Sequence, residues 1–245
     1  MTCIILAAGY ATRLYPLTRD FPKPLLDVAG RSILDRIVDN AMRVPELSRI
    51  VVVTNEHFLS QFETWRVKRF GSDAKVRVVN DRSTSNEKRL GALSDLNLAV
   101  EEADVDEDAL VLAGDNLFDF ELADFAAFYF STGTDCITAH EVSDLERLRR
   151  TGVVELAEDG RVLSFAEKPK NPASSWAVPP FYAYTRETLR RRLPAYLGQG
   201  GEGDAPGSFI PWLIKRTPVY AYCFEGERYD IGTRDSYERV VELFS

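Results

Sequence analysis

Two basic side chains accompany a loop of small residues near the amino terminus. The segment Leu6-Ala-Ala-Gly-Tyr-Ala-Thr-Arg-Leu-Tyr-Pro-Leu-Thr18 lets the backbone approach a ligand closely, and consecutive N–H groups in such a loop can bind an anion. Arg13 would offer several donors to phosphate oxygens, and Lys23, between two prolines, would offer a point charge. Together they indicate a polyphosphate ligand. The segment is neither a P-loop nor a dinucleotide-binding fingerprint, because Gly-Lys-Ser/Thr and Gly-x-Gly-x-x-Gly are absent.

The same residues form part of a longer pattern. Leu-Ala-Ala-Gly-x-x-Thr-Arg-Leu-x-Pro-Leu-Thr, followed by Pro-Lys-Pro-Leu-Leu, resembles the signature of the sugar-phosphate nucleotidylyltransferases, or nucleoside-diphosphate-sugar pyrophosphorylases. The likeness runs from Thr2 to about Tyr237 and is greatest to the glucose-1-phosphate thymidylyltransferases. It implies transfer of a nucleoside monophosphate from an NTP to a sugar 1-phosphate, with release of pyrophosphate. The acceptor's phosphate oxygen would attack the α-phosphorus in line, without a covalent enzyme intermediate.

The resemblance gives each part of this pattern a role. Arg13 and Lys23 would be the catalytic residues. They would contact the phosphates that leave as pyrophosphate and the α-phosphate under attack, because negative charge spreads over these oxygens in the transition state. The loop would wrap the triphosphate, and a later Leu-Gly pair would abut the base. The nucleotide-binding residues implied are Leu6, Ala7, Ala8, Gly9, Thr12, Leu90 and Gly91.

Two aspartates resemble the family's metal-binding pair. Asp115 follows Ala109 to Ala113, an apolar run without alternation that is typical of a strand buried on both faces, so it lies at a strand's carboxyl end. Asp230 lies in Tyr-Asp-Ile-Gly-Thr. Alone, each aspartate would more often cap a turn, but their order along the chain matches the family. The resemblance therefore implies a Mg²⁺ cofactor held by both, since one or two carboxylates with phosphate oxygens and waters suffice for this ion.

Three residues of the second half resemble the family's acceptor site. Glu167-Lys168-Pro169 matches the Glu-Lys-Pro motif, which implies that Lys168 holds the acceptor's phosphate and Glu167 contacts its hydroxyls. Gly152, in Gly-Val-Val-Glu, resembles a segment whose glycine lets the backbone reach the sugar. Taken alone, an exposed Glu-Lys pair at a strand end would be ordinary. With the other motifs it predicts acceptor-binding residues Gly152, Glu167 and Lys168.

The sequence departs from the family in the segments expected to bind each of the two substrates. The segment Asn80 to Ala92 lacks the Gln-x-x-Pro-x-Gly pattern of thymidylyltransferases, so the sequence does not specify which nucleobase is bound. Lys88 and Arg89 in this segment are either phosphate ligands or solvated charges. On the acceptor side, Val178-Pro-Pro-Phe181 replaces a usual glycine, and proline removes an N–H donor. A cytidylyltransferase for a non-sugar acceptor such as phosphocholine or a phosphonate is therefore an alternative. An inactive nucleotide-sensing homologue is less favoured, because the predicted catalytic, metal and acceptor residues are retained.

Composition sets the remaining expectations. The chain has 245 residues and a formal charge of -8, which argues against sequence-independent binding of nucleic acid. Its three cysteines form no Cys-x-x-Cys pair and are expected to be reduced thiols in the core. The run Ile4 to Ala8 is too short for a signal peptide or a membrane span, so we expect a cytoplasmic protein. The expected partners are an NTP and a phosphorylated acceptor; homo-oligomerisation stays open.

Strands alternate with helices in the first half, as in βαβ units, and the second half is richer in strands. With the resemblance, this predicts an α/β fold: a Rossmann-like mixed, mainly parallel sheet flanked by helices, with an acceptor-binding β-rich half. We expect a single domain over residues 1–245, with 1–120 mainly nucleotide-binding and 121–245 mainly acceptor-binding. The strands expected are 2–6, 50–54, 76–79, 109–113, 135–140, 152–156, 162–167 and 178–184. The helices expected are 32–44, 58–69, 91–102, 122–131 and 206–213.

Overall fold

A ten-stranded sheet organises the protein in the computed structural model, which describes residues 1–245. The strands are β1 (Thr2–Leu6), β2 (Asp27–Val28), β3 (Arg31–Ser32), β4 (Arg49–Thr54), β5 (Val76–Asn80), β6 (Ala109–Ala113), β7 (Asn116–Phe118), β8 (Cys136–Glu141), β9 (Gly152–Leu156), β10 (Val162–Glu167), β11 (Trp176–Val178), β12 (Phe181–Tyr184), β13 (Tyr220–Cys223) and β14 (Arg228–Asp230). The helices are α1 (Ile33–Ala41), α2 (Leu59–Phe70), α3 (Ala92–Glu102), α4 (Leu122–Thr132), α5 (Leu145–Leu148), α6 (Leu193–Gly198), α7 (Ile210–Leu213) and α8 (Arg234–Phe244).

The first half of the sheet is parallel, in the order β5-β4-β1-β6. Its inner strands β1, β4 and β6 are mostly apolar because both faces are covered. In β1, Cys3 and Ile5 join one core cluster, whereas Ile4 joins the other. Helices therefore pack on both faces, the arrangement that parallel strands require. This confirms the predicted Rossmann-like half.

The second half of the sheet is largely antiparallel and continues from β6 in the order β12-β8-β11-β9-β10, with β13 parallel to β8. The prediction of one strand over 178–184 was wrong. Pro179 and Pro180 separate β11 from β12, because proline has no N–H to donate to a ladder. The carbonyl of Pro180 instead accepts from Ala113 N at 3.1 Å, which ties the break to the end of β6.

Local signals account for most helix boundaries. The Ser32 hydroxyl accepts from Asp35 N at 3.0 Å and caps α1, as predicted, although α1 ends at Ala41 rather than at residue 44. Pro206 begins a 3₁₀ turn that leads into α7, and this confirms the predicted helix there. The sequence reading missed α5, α6, α8 and the two short ribbons, one formed by β2 and β3 and the other by β7 and β14.

Two further expectations concern the burial of the cysteines and the presence of membrane-spanning helices. All three cysteines are free thiols, and Cys3 and Cys136 are buried. Cys223 is exposed, which corrects the expectation of a core position, because it is the last residue of β13 and its side chain lies at the surface. None of the helices is both long enough and apolar enough to span a membrane.

Candidate active site

A cleft of about 610 Å³ opens at the carboxyl ends of β1 and β6, the edge at which α/β sheets bind ligands. Nine of the predicted site residues line it: Leu6, Ala7, Ala8, Gly9, Thr12, Arg13, Lys23, Gly91 and Asp115. These residues come from three separate parts of the chain. The fold therefore gathers the predicted nucleotide-binding and catalytic residues into one cleft.

The loop after β1 presents unpaired backbone donors. Ala7 N still bonds to Val53 O at 2.8 Å, but the N–H groups from Ala8 to Ala11 have no hydrogen-bond partner in the protein. Asn55 Nδ2 donates to Ala8 O at 2.9 Å and holds the loop from behind. Arg13 makes no ion pair or hydrogen bond with the protein. A row of free N–H groups beside a free guanidinium is suited to an anion.

Lys23 and Asp115 form an ion pair within the cleft. Lys23 Nζ lies 2.8 Å from Asp115 Oδ2, and only 6% of the lysine side chain is exposed. Asn116 Nδ2 donates to Asp115 Oδ1 at 2.6 Å. Burial acts to raise the pKa of Asp115, but the charge and hydrogen bond of Lys23, the Asn116 amide and the charge of Arg228 together lower it below its usual value. Asp115 is therefore ionised and held in a fixed position.

Asp230 lies close to this pair, although it does not line the same cleft. It ends β14 and is paired with Asn116 of β7, the residue after Asp115. Gly232 separates it from Arg13: a Cβ built on Gly232 would be 3.7 Å from both Asp230 Oδ1 and Arg13 Nη2. No group of three or more His, Cys, Asp or Glu side chains is arranged to hold a metal ion. Of the two predicted metal ligands, Asp115 thus lines the cleft and Asp230 adjoins it through the pairing of β14 with β7.

A loop from the second half closes over the predicted base-binding segment. Gly203 O and Asp204 O accept from Leu93 N and Ala92 N at 2.8 and 3.2 Å, and so cap α3. Gly91 has a φ of +93°, and a Cβ there would lie 2.6 Å from Gly203 O, so a side chain at this position would displace the loop. The predicted residue Leu90 does not line the cleft; its side chain is exposed.

Arg89 pairs with an aspartate across the cleft. Its guanidinium bonds to both carboxylate oxygens of Asp204, at 3.1 and 2.8 Å. Both residues line the cleft. The Arg89 hydrogen bonds lower the pKa of Asp204 below its usual value. The sequence left Arg89 as either a phosphate ligand or a solvated charge; in the structure its guanidinium is instead bound to a protein carboxylate.

A buried carboxyl group in the cleft wall escaped sequence analysis. Asp95, in the first turn of α3, is 6% exposed, and its Oδ1 has no hydrogen-bond partner. Burial and the neighbouring charge of Asp81 raise the pKa of Asp95 to about 8. Asp81 is itself buried and accepts from Ser83 N at 2.7 Å. The available signal was an aspartate among the apolar residues of the helix face that packs on the sheet.

The predicted acceptor residues gather at the ends of β9 and β10, outside the lining of the main cleft. Gly152 is paired with both Glu167 and Val178. A Cβ on Gly152 would lie 2.5 Å from the ring of Phe165, so packing alone requires a glycine here. Its predicted contact with a sugar stays a prediction.

Glu167 and Lys168 form a loose pair, with Lys168 Nζ 3.8 Å from Glu167 Oε1. Lys168 adopts a left-handed backbone conformation with φ of 46°, and its N–H donates to Thr151 O at 3.1 Å. Burial raises the pKa of Glu167 above its usual value, against the opposing charges of Lys168 and Arg228. Arg228 was missed, although it stands two residues before Asp230 and thus on the same side of one strand.

Known proteins resemble this chain over nearly its full length. The sequence profile of the family described as "Nucleotidyl transferase" matches residues 2–244. Glucose-1-phosphate adenylyltransferase of Fervidobacterium nodosum is 28% identical, over 98% of this chain and 60% of that protein. UTP--glucose-1-phosphate uridylyltransferase AglF of Haloferax volcanii is 29% identical, over 99% of this chain and 97% of that protein. The chain thus spans less than two thirds of the first relative and almost all of the second.

Solved structures share the fold. A structure from Bacillus anthracis, assigned provisionally as a glucose-1-phosphate thymidylyltransferase and determined with sucrose, superposes with a TM-score of 0.83. The match covers 99% of this chain and 95% of the other at 22% identity, and it confirms the predicted architecture. The profile match confirms the family that the amino-terminal signature predicted: the chain belongs to the nucleotidyl transferase family.

Proposed function

We propose that this protein transfers a nucleoside monophosphate from an NTP to a sugar 1-phosphate and releases pyrophosphate. The observation that carries the proposal is the 2.8 Å ion pair between the buried Lys23 and the partly exposed Asp115, in the same cleft as the free N–H groups after β1 and the unpaired Arg13. Cations and fixed donors around a triphosphate stabilise the charge that develops on the departing pyrophosphate. The relatives described above are named for glucose 1-phosphate, which supports a sugar phosphate as acceptor.

The residues divide between the two substrates. The N–H groups after β1 and Arg13 bind the triphosphate, and Lys23 faces the α-phosphate. Lys168 holds the phosphate of the acceptor, and Glu167 binds its hydroxyls. With both phosphates held, the attacking oxygen and the α-phosphorus meet in a defined orientation, which removes much of the entropic cost of a bimolecular reaction.

Mg²⁺ fits the residues present as the cofactor. Asp115 is ionised, and Asp230 is nearby through the pairing of β14 with β7. Lys23 and Arg228, at 2.8 and 3.4 Å, balance the two carboxylates. Hard oxygen ligands of this kind, completed by phosphate oxygens and water, match the preferences of Mg²⁺. When bound, the ion would neutralise charge on the phosphates.

The nucleobase is not specified by this proposal, since the relatives and the structural neighbour are named for adenylyl, uridylyl and thymidylyl transfer. The non-sugar cytidylyltransferase is not favoured, because these proteins are named for sugar phosphates. The inactive, nucleotide-sensing alternative is also disfavoured, because Arg13, Lys23 and Asp115 lie together in the cleft.

The decisive experiment is a pyrophosphate-release screen with Mg²⁺. Each NTP is combined with glucose 1-phosphate, other sugar 1-phosphates and phosphocholine. We expect turnover with at least one sugar 1-phosphate. Background rates in every combination would reject the enzymatic proposal, and turnover with phosphocholine alone would establish the alternative.

The metal assignment has its own test. Asp115→Asn and Asp230→Asn should each lower turnover sharply at limiting Mg²⁺, because each removes a charged ligand. Excess Mg²⁺ should restore part of the activity. Asp124→Asn, which changes an exposed aspartate on α4, is the matched control and should behave as the unmodified protein does. Normal Mg²⁺ dependence in either variant would remove that aspartate from the metal site.

A further inference from the structure

A second cleft, of about 530 Å³, lies beside the main one and is assigned to neither substrate. The two clefts flank the same stretch of chain: Asp230 lines the second, and Ile231 and Gly232 line the first. Thr151, which precedes the predicted acceptor residue Gly152, also lines the second cleft. The second cleft therefore adjoins the acceptor side of the proposed active site.

This second cleft is basic in an acidic protein. Its charged residues are the arginines Arg147, Arg150, Arg228 and Arg239, the carboxylates Glu227 and Asp230, and His140. Burial, with the nearby charges of Arg228 and Arg147, lowers the pKa of His140, so the ring is neutral at pH 7. An excess of positive charge persists here although the whole chain carries -8, so the cleft attracts anions that the rest of the surface repels.

Several of its arginine donors have no partner. Arg147 is paired with Glu227 at 2.8 Å, but Arg150 and Arg239 form no ion pair. Arg228 is only 19% exposed, and its one contact is Asp230 at 3.4 Å. A guanidinium has five N–H donors in a planar fork that matches an oxyanion. A largely buried arginine with a single long contact is therefore incompletely satisfied by the protein.

Arg228 also connects the second cleft with the reacting groups. Its positive charge acts to lower the pKa of both Asp115 and Glu167, from the metal site and the acceptor site respectively. The second cleft also meets the acceptor residues through Thr151, which lines it and whose carbonyl accepts from Lys168 N at 3.1 Å. An acceptor held by Glu167 and Lys168 would thus lie beside the second cleft.

We propose that the second cleft binds a second anionic group of the acceptor, so that the preferred acceptor is a sugar 1-phosphate that also carries a carboxylate or a further phosphate. The inference rests on the proposed function and narrows its acceptor class. Arg228 is the principal ligand of the added oxyanion. Arg150 and Arg239 lie at the exposed rim and strengthen binding through their charge.

The test compares three acceptors that differ at one carbon: glucose 1-phosphate, glucuronic acid 1-phosphate and glucose 1,6-bisphosphate. We expect kcat/KM to be about 10-fold or more higher for one of the acidic acceptors, since charge-assisted hydrogen bonds contribute at least that much. The two acidic acceptors together tell a carboxylate from a phosphate. Equal or lower kcat/KM for both acidic acceptors would overturn the proposal.

Variants of the arginines test whether the preference for acidic acceptors arises in the second cleft. Arg228→Gln should reduce the acidic-to-neutral ratio of kcat/KM by about 10- to 150-fold, and Arg239→Gln by about 2- to 5-fold because its side chain is exposed. Arg234→Gln is the matched control, because this exposed residue of α8 pairs with Glu238 and does not line the cleft. It should leave the ratio unchanged. If Arg228→Gln slows all three acceptors equally and shifts only the Mg²⁺ requirement, Arg228 merely orients Asp230, and the proposal is wrong.

Failure of the proposed function would be recognised separately, as background turnover with every acceptor and every NTP. In that case calorimetry still tests the cleft. Glucuronic acid 1-phosphate and glucose 1,6-bisphosphate should bind at least about 10-fold more tightly than glucose 1-phosphate, and Arg228→Gln should abolish the difference. Equal affinities for the three compounds would reject the second anion site whatever the enzyme does.

Discussion

The two lysines of the site stand in opposite environments. Lys23, in the nucleotide half, exposes 6% of its side chain and contacts Asp115 at 2.8 Å. Lys168, in the acceptor half, exposes 63% of its side chain and lies 3.8 Å from Glu167. A buried, paired charge is fixed before the ligand arrives, whereas an exposed one must be ordered by it. In the proposed function, fixed charge would thus be concentrated where the chemistry of an NTP is constant, and adaptable charge where acceptors differ.

The same contrast extends to the backbone. The nucleotide half offers the N–H groups after β1, which are held by Asn55 and the parallel strands. The acceptor half is interrupted by Pro179 and Pro180, which leave no N–H to donate, and its predicted phosphate ligand is the side chain of Lys168. Backbone donors are the same whatever the side chain, whereas a side-chain ligand changes with the residue. The predictions below test this division, beginning with the largest effect.

Lys23→Met should lower kcat about 100- to 1000-fold, because a preorganised charge at the transition state is lost from a protected position. The KM values for NTP and acceptor should change much less, since charge on the α-phosphate grows as the bond to pyrophosphate breaks. Steady-state kinetics with both substrates provides the measurement. Lys75→Met, at an exposed lysine, is the control. If Lys23→Met instead had a normal kcat and a raised acceptor KM, Lys23 would be an acceptor ligand, and the contrast between Lys23 and Lys168 would not hold.

Asp95→Asn should stabilise the fold in a pH-dependent manner. The pKa of Asp95 is raised to about 8, so the folded state keeps a proton that the unfolded state releases near pH 4. Stability is consequently lost as the pH rises from about 4 to 8, and asparagine removes this loss. We expect little effect at pH 4 and a gain of about 5 kcal/mol at pH 8, since the folded and unfolded pKa values differ by about four and each pKa unit corresponds to about 1.4 kcal/mol. The free energy of unfolding of the variant and of the unmodified protein is measured by urea denaturation at both pH values. An equal change at both would show that Asp95 ionises normally.

Lys168→Ala should raise the acceptor KM by about 10- to 150-fold while NTP binding stays nearly intact, because one charge-assisted hydrogen bond of about 1.5 to 3 kcal/mol is lost. Lys170→Ala, two residues along the chain, is the control. Lys168→Ala would thus change the acceptor KM, whereas Lys23→Met would change kcat. If Lys168→Ala weakens NTP binding and spares the acceptor, Glu167-Lys168-Pro169 does not belong to the acceptor site.

The parts of the site that could be predicted are those encoded locally. Leu6 to Arg13 is one continuous segment, so its small residues and cations are adjacent in any fold that places them after a strand. The family signature then supplied Asp115 as a partner for the same ligand. Pro179 and Pro180 also carry a local signal for a break in the strand, but the apolar residues on either side give the segment the pattern of one continuous strand.

Residues that act through distant contacts could not be identified in this way. Arg228 is recognisable only when β14 pairs with β7 and brings it towards Asp115. Asp204 lies 115 positions from Arg89, and nothing in either segment specifies the other. Asp95 resembles an ordinary helix-start aspartate until the fold buries it against Asp81. Burial and long-range pairing are properties of the whole sheet, not of a motif.

The contact between Arg89 and Asp204 joins the two halves and should contribute least. The pair is bidentate, but 41% and 56% of the two side chains are exposed, so we expect a coupling energy of about 0.2 to 1 kcal/mol. The backbone bonds from Gly203 O and Asp204 O to the start of α3 remain in every variant and hold the loop. A double-mutant cycle of Arg89→Gln and Asp204→Asn, measured by urea denaturation at low and high salt, gives the coupling. A coupling above about 2 kcal/mol that resists salt would mean that side-chain charge, rather than the capping of α3, attaches the acceptor half to the base-binding segment. The division between fixed backbone and adaptable side chains would then fail at the point where the halves meet.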